Sequence, residues 1–479
     1  MFKTITIVGG GTAGLISALI LKERFSKINI QVIKSDSVGI IGVGEGTTEH
    51  FKEFMDFVGI GVKDLVKKTD ATLKHGVYFK DWIKNDYYHN VLGPFYNFKF
   101  GQTLTAYSHI TVKDFPYDKY TVHQGLKHDK VSKEVLPNQY HFNTNKLNKF
   151  LIDFCKRKNI KIIDDVIDEV RVRGKKIQYI KGKKKYKSDF YIDCTGFKRL
   201  LISKLGAKWA SYKENLPLNE AIAFQTPDTK DYPSYTLARA MKAGWLWRIP
   251  TQGRWGNGYV FDNRYINAKE AKKECEQYLK TKIKIAKNIK FEPGALDKPW
   301  IGNCAAIGLS SSFFEPLEAS SIGLTIQQNF LLMHYLIHSS EEDIKYYNEK
   351  FTLMVENIRD FIILHYCCGK KNSKFWKELN FKIPESLIIN LKKWKNRLPI
   401  KEDFSGDFHV FNAPNFAVIL KELGLCDLGN LKNEYESLNP ALIAATENHV
   451  TSLYNYWKNH VQLINHKKYL KNIDKYINE

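Results

Sequence analysis

Arginine is scarce in this chain of 479 residues: of its 73 Lys and Arg, eleven are Arg and 62 are Lys. Set against 51 Asp and Glu, they leave a formal charge of +22. Base readout and bidentate phosphate contacts favour Arg. The lysines are also spread along the whole chain, so a nucleic-acid footprint is not expected. Cysteine is sparse too, with seven residues and no C-x-x-C pair. That excludes a disulfide framework and a structural zinc site, and it fits a reducing compartment, the cytoplasm. No metal site is expected. Long apolar runs are missing: residues 330–333 are typical, and they break far short of the roughly 18 needed to span a bilayer. The chain enters a strand-like run at residues 5–8 almost at once, which leaves no room for a signal peptide. Internal repeats and Pro/Ser-rich linkers are absent as well. At 43% hydrophobic and 13% aromatic, the chain can bury a large core, which excludes a disordered protein.

The first informative stretch is Thr4-Ile5-Thr6-Ile7-Val8, then Gly9-Gly10-Gly11-Thr12-Ala13-Gly14, then the apolar stripe Leu15 to Leu21. A second strand-like run follows at residues 28–33. Strand, G-x-G-x-x-G, helix, strand is the context of a dinucleotide site. Gly9 permits the tight turn, Gly11 admits a pyrophosphate, Gly14 allows helix and strand to touch, and the helix N-terminus offers free N–H groups. The acidic residue expected at the end of the second strand is replaced by Lys34, with Asp36 two positions on.

Further along, residues 164–170 read as a strand. The cluster from Lys181 to Lys187 reads as a turn between strands at 177–180 and 190–192. Residues 189–197 end in Asp193-Cys194-Thr195-Gly196, which reads as a return to the nucleotide sheet. Residues 304–308 give another strand, running into a helix at about 319–336. From residue 341 the pattern is mostly helical, with a helix opened by Pro384 and cut off before Pro399. The expected fold is α/β, a Rossmann-like sheet of glutathione-reductase type. Its nucleotide-binding segments, about 1–75, 140–205 and 295–340, are interleaved with substrate-module insertions at about 76–139 and 206–294. Residues 341–479 complete the substrate module. Tyr87, Tyr88, Phe95, Tyr96 and Phe98 suit an aromatic substrate or an ordinary core equally well.

Four patches stand out: Ile41-Gly42-Val43-Gly44-Glu45-Gly46-Thr47-Thr48, Ala71-Thr72-Leu73-Lys74, Gly244-Trp245-Leu246-Trp247-Arg248-Ile249-Pro250, and Glu315-Pro316-Leu317-Glu318. Together they resemble the flavin-dependent halogenases, the family typified by the tryptophan halogenases, from residue 1 through at least Trp376. The W-x-W-x-I-P pattern is the most specific of them. His365-Tyr366 and Phe375-Trp376 also look like this family's C-terminal region.

The resemblance implies an oxidoreductase that takes reduced FAD from a separate reductase and uses O2 to turn halide into hypohalous acid. This oxidant then travels through the protein to an electron-rich aromatic substrate, indole- or phenol-like. Lys74 and Glu318 match the family's catalytic lysine and carboxylate. Gly9, Gly11, Thr12, Ala13, Gly14, Val43, Gly44, Glu45, Gly46, Thr47, Val166 and Leu309 would contact FAD. Ser320 and Ser321 fall where halide is held by backbone N–H groups. Trp245 and Trp247 match the pair that separates flavin from substrate. Where the free-tryptophan enzymes read Glu-Ser-Thr-Gly, this chain reads Glu318-Ala319-Ser320-Ser321. A flavin monooxygenase acting directly on the aromatic substrate is the alternative.

Overall fold

The computed structural model describes residues 2–42, 44–89, 130–133, 138–460 and 462–477. Thr4–Val8 is almost wholly buried, as a central parallel strand must be when helices cover both faces. Asn29–Lys34 and Lys161–Asp164 lie to one side of it. Phe190–Asp193 and Cys304–Ala306 lie to the other, all four in parallel. Trp300–Ile301 closes that edge antiparallel. Counting the parallel strands in chain order, the sequence across the sheet is 3-2-1-4-5, the Rossmann arrangement. Thr12–Arg24 follows the first strand, and its Gly14 to Leu21 stretch is buried without a break. Such a helix lies inside the molecule, not on its surface.

Two readings of the sequence change here. Residues 164–170 are not one strand: Asp164 ends the Rossmann strand and Glu169–Arg173 begins another sheet. The Asp165 carboxylate lies between them, accepting from the Val166 and Lys183 N–H groups at 2.8 and 3.0 Å and from the Tyr186 hydroxyl at 2.6 Å. A side chain that collects local donors in this way ends a ladder. The lysine cluster, in turn, is no simple turn. Lys176–Lys181 folds back on Lys185–Tyr186, while Phe190–Asp193 belongs to the Rossmann sheet.

A second sheet of seven strands carries Gly244–Thr251 near its middle and Tyr87–His89 at one edge. Trp247 needs room there that only glycine leaves. A Cβ on Gly258, its cross-strand partner, would meet the indole ring at 2.0 Å. Glu341–Tyr366 is a helix of 26 residues opened by a Ser340–Asp343 capping box. It packs against Ser320–Tyr335 and Ala413–Glu422. Glu385–Trp394 has Pro384 at its N-cap, as the sequence suggests. All seven cysteines are free. Among the described residues, no helix is long and apolar enough to cross a membrane.

Asp193, fully buried at the end of its strand, ties the Rossmann sheet to the turns that follow it. One oxygen accepts from the Thr195 N–H and hydroxyl, the other from the Leu201 and Ile202 N–H groups at 2.7 and 2.9 Å. Asp193→Ala leaves those backbone donors without an acceptor, at a cost of about 3 kcal/mol or more. A urea or thermal unfolding midpoint equal to wild type would contradict this role.

Candidate active site

The N-terminal turn is built to admit an anion. Gly9 sits at φ +121°, where a side chain is strained, and a Cβ there would lie 2.1 Å from the Cys194 carbonyl. A Cβ on Gly14 would lie 1.9 Å from the Gly9 carbonyl, so glycine alone lets helix and turn touch. Gly11, by contrast, faces open space within 4 Å and is the helix N-cap. No side chain caps this helix, and no acidic residue occupies its first turn. The N–H groups at Thr12 and Ala13 therefore begin an uncapped helix with a positive end. These residues fit the pyrophosphate of FAD.

At the end of the second strand, Lys34 pairs with Asp36 at 2.5 Å, and the Asp36 N–H bonds Asp164 at 2.9 Å. Leu309 is half-buried in the turn Gly308–Ser310, with Gly308 packed against Ala13. Val166 is exposed beyond the Lys161–Asp164 strand. Val43 lies outside the described residues, as do Phe95, Tyr96 and Phe98.

The second glycine-rich loop runs from the cofactor side toward Lys74. The Gly44 carbonyl accepts from the Thr144 hydroxyl at 2.5 Å. The Glu45 carboxyl is buried in an ion pair with Arg254, and burial raises its pKa. Gly46 bridges to His141 and lies beside Ala319 and Ile249. Thr47 exchanges bonds with Tyr140, and its carbonyl accepts from the Lys74 ammonium at 2.6 Å.

Lys74, on the strand Thr72–Lys74, is 1% exposed. Burial pulls its pKa down to about 8, against the attraction of Glu318 and Glu49. A lysine in that range can give and take a proton near neutrality.

Glu318 is the opposite case. Burial would raise it, yet the carboxyl is held at about 2 by His89 and His365. Its Oε1 accepts from His89 Nδ1 at 2.7 Å and from His365 Nε2 at 3.2 Å. The Asn415 amide nitrogen lies 3.2 Å from His89 Nε2. On the other nitrogen of His365, the Phe361 carbonyl lies 2.8 Å from Nδ1. Glu318 and Ala319 both sit in the left-handed region, at φ +64° and +54°. Two such residues in a row are strained and persist only where the surroundings hold them, as they do at many functional sites.

Behind this pair, Trp245 donates from its indole N–H to Glu315 at 2.9 Å, and Tyr366 donates to the same oxygen at 2.7 Å. Burial pushes Glu315 up to about 7. Trp245 and Trp247 are both buried, their rings 6.1 Å apart. Ser320 is buried and Ser321 exposed at the start of Ser320–Tyr335, a helix whose N-cap, Ala319, supplies no side-chain bond. His89, Asn415 and Glu315 are the site residues that sequence reasoning left without a role. His365 stood in a recognised motif, but nothing in its spacing tied it to Glu318.

A Rossmann sheet with an uncapped glycine-turn helix, joined to a buried lysine and a buried carboxylate, is the frame of a dinucleotide-binding enzyme. The family model for tryptophan halogenases matches residues 4–428, and the chain belongs to that family. It is 28% identical to tryptophan 6-halogenase SttH of Streptomyces toxytricini, over 88% of this chain and 90% of the other. It is 26% identical to tryptophan 7-halogenase RebH of Lentzea aerocolonigenes, over 88% and 89%. Among solved structures, a tryptophan halogenase from Shewanella frigidimarina superposes with a TM-score of 0.86 at 27% identity, covering 99% of this chain and 98% of that one. The protein is therefore a flavin-dependent halogenase, and FAD is its cofactor.

Lys74 carries a stability consequence. Its pKa of about 8 lies below the ordinary value, so above pH 8 the unfolded chain binds more protons and stability rises with pH until the ordinary value is passed. At neutral pH both states are protonated and the buried ammonium costs about 3 kcal/mol. Lys74→Met should therefore raise the unfolding midpoint at pH 7, and by less at pH 10. A lowered midpoint at pH 7 would show that Lys74 is not held against its solvation.

Proposed function

We propose that this enzyme halogenates an electron-rich, indole- or phenol-like aromatic substrate with Lys74 and Glu318 at the reacting atoms. It would work in the cytoplasm and take reduced FAD from a separate flavin reductase. One observation carries the reading most: a buried lysine, its ammonium on the Thr47 carbonyl at 2.6 Å, shares the interior with a buried carboxylate gripped by His89 and His365. When bound, reduced FAD supplies with O2 the two-electron oxidation that turns halide into hypohalous acid.

The residues divide the remaining work. Gly9, Gly11, Thr12, Ala13 and Gly14 take the pyrophosphate at the first helix N-terminus, and Gly44 to Thr47, Val166 and Leu309 complete the cofactor contacts. Backbone N–H groups at Ser320 and Ser321 take the halide, at the start of a helix whose N-cap provides no competing side-chain acceptor. Trp245 and Trp247 stand between cofactor and substrate and keep the flavin chemistry off the ring. Glu315 holds Trp245 in place through its indole N–H.

Lys74 donates a hydrogen bond to the oxidant or carries the halogen as a haloamine, and its lowered pKa keeps a fraction of free amine available near neutrality. Attack by the ring places positive charge on it, which the Glu318 carboxylate stabilises before accepting the ring proton. A proton on a cationic sp3 ring carbon is acidic enough for a weak base, so a carboxylate near 2 is adequate.

The test combines the enzyme with FAD, NADH, a flavin reductase and each halide, over indoles, phenols and pyrroles, with products read by mass spectrometry. Lys74→Ala should lose halogenation and still oxidise reduced flavin; a variant that halogenates at wild-type rate overturns the assignment. Glu318→Gln keeps the bonds from His89 and His365 but not the charge. It should lower kcat by roughly 100-fold or more, with KM nearly unchanged.

A further inference from the structure

The segment after residue 462 runs back onto the strand that carries Lys74. Leu463–Asn465 pairs antiparallel with Lys130–Ser132, and the helix His466–Lys471 follows directly. This segment lies beyond residue 428, where the family match ends.

His466, fully buried, opens that helix. Its Nε2 accepts the Leu73 N–H at 3.0 Å, and its Nδ1 donates to the Tyr232 carbonyl at 3.1 Å. These two bonds assign the proton to Nδ1 and the lone pair to Nε2. Burial draws its pKa down to about 4, so the ring keeps that lone pair at neutral pH.

Leu73 requires such an acceptor. Thr72–Lys74 pairs with Gln139–His141 on one side. In an antiparallel pair, alternate residues turn their N–H away from the partner strand. On that outer side His75 N–H reaches the Ser234 carbonyl directly, at 2.6 Å. Leu73 reaches the same stretch only through the imidazole, which bridges its N–H to Tyr232. Neighbouring contacts hold the bridge in place: Asn465 donates to Asp231 at 2.8 Å, and Lys467 to Asp228 at 2.7 Å.

We propose that His466 is a positioning residue for Lys74: it completes the hydrogen bonding of the three-residue strand that presents the Lys74 ammonium to Thr47 and Glu318. The inference rests on the reading that Lys74 handles the oxidant. The ammonium is held at its tip by Thr47, and its backbone is held on either side by His466 and Ser234. Without His466, the Leu73 N–H loses its acceptor, and the outer side of the strand keeps only the His75 bond to Ser234 beside the ladder to Gln139–His141.

The experiment compares full-length wild type, His466→Leu and His466→Gln, each with FAD, NADH, a flavin reductase, bromide and an indole. His466→Leu should lower the product kcat at least tenfold, with KM and reduced-flavin oxidation unchanged. Hypohalous acid captured in solution by a β-diketone trap should rise in step. His466→Gln, whose amide both accepts and donates, should recover most of the loss. Amide hydrogen exchange at Leu73 gives a readout that needs no substrate: protected in wild type and His466→Gln, and at least tenfold faster in His466→Leu. A wild type that makes no halogenated product defeats the functional reading, while the exchange rates still decide whether the clamp exists. Wild-type kcat or a protected Leu73 in His466→Leu, or a His466→Gln no better than His466→Leu, overturns the proposal. Should His466→Leu fail to fold, His466→Asn, too short to span both partners, carries the same comparison.

Discussion

A lysine ammonium and a carboxylate share one dry interior, and the rest of the site follows from the need to satisfy both. Burying a single charge is expensive unless it is paired and hydrogen-bonded. Lys74 meets the demand in part, with one carbonyl and two distant carboxylates, and its lowered pKa records what is left unmet. Glu318 meets it fully, through two histidines contributed by an edge strand and by the long helix. The two groups are thus pushed to opposite ends of their ranges, a common arrangement where acid and base roles must be divided. The strained backbone at Glu318 and Ala319 belongs to the same arrangement, turning the carboxylate toward its partners just before the helix begins.

The same physics of unpaired backbone groups recurs at two helix starts. The helices that begin after Gly11 and Ala319 both lack a side-chain cap. An ordinary helix start takes up its free N–H groups with Ser, Thr, Asp or Asn. The helices from Asn267, Ser340 and Asp427 do so here. The +22 charge, carried mostly by lysine, has little part in this chemistry. Its exposed lysines lie in places such as the 176–186 hairpin, while Lys74 is buried.

Much of the architecture was legible because its signals are local. The strand, glycine turn and helix at the N-terminus occupy consecutive residues, and Gly14 meets the Gly9 carbonyl inside that unit, whereas the contact at Gly9 is with Cys194, 185 positions on. The Trp pair was legible for the same reason, since a two-residue spacing puts both rings on one face of a strand. Residues 164–170 misled because strand-like composition was overridden by one aspartate collecting donors from across a hairpin. His89, Asn415 and Glu315 stayed silent because their roles depend on partners 229, 326 and 70 positions away.

By itself the sequence determined the nucleotide sheet, the family motifs and the residue types that halogenation chemistry requires, because those depend on short-range spacing and side-chain identity. Tertiary structure alone decided which histidines hold Glu318, how deeply Lys74 is buried, and that His466 bonds the strand carrying that lysine. Burial and the pairing of distant polar groups depend on how remote segments are brought together, and no local pattern encodes them.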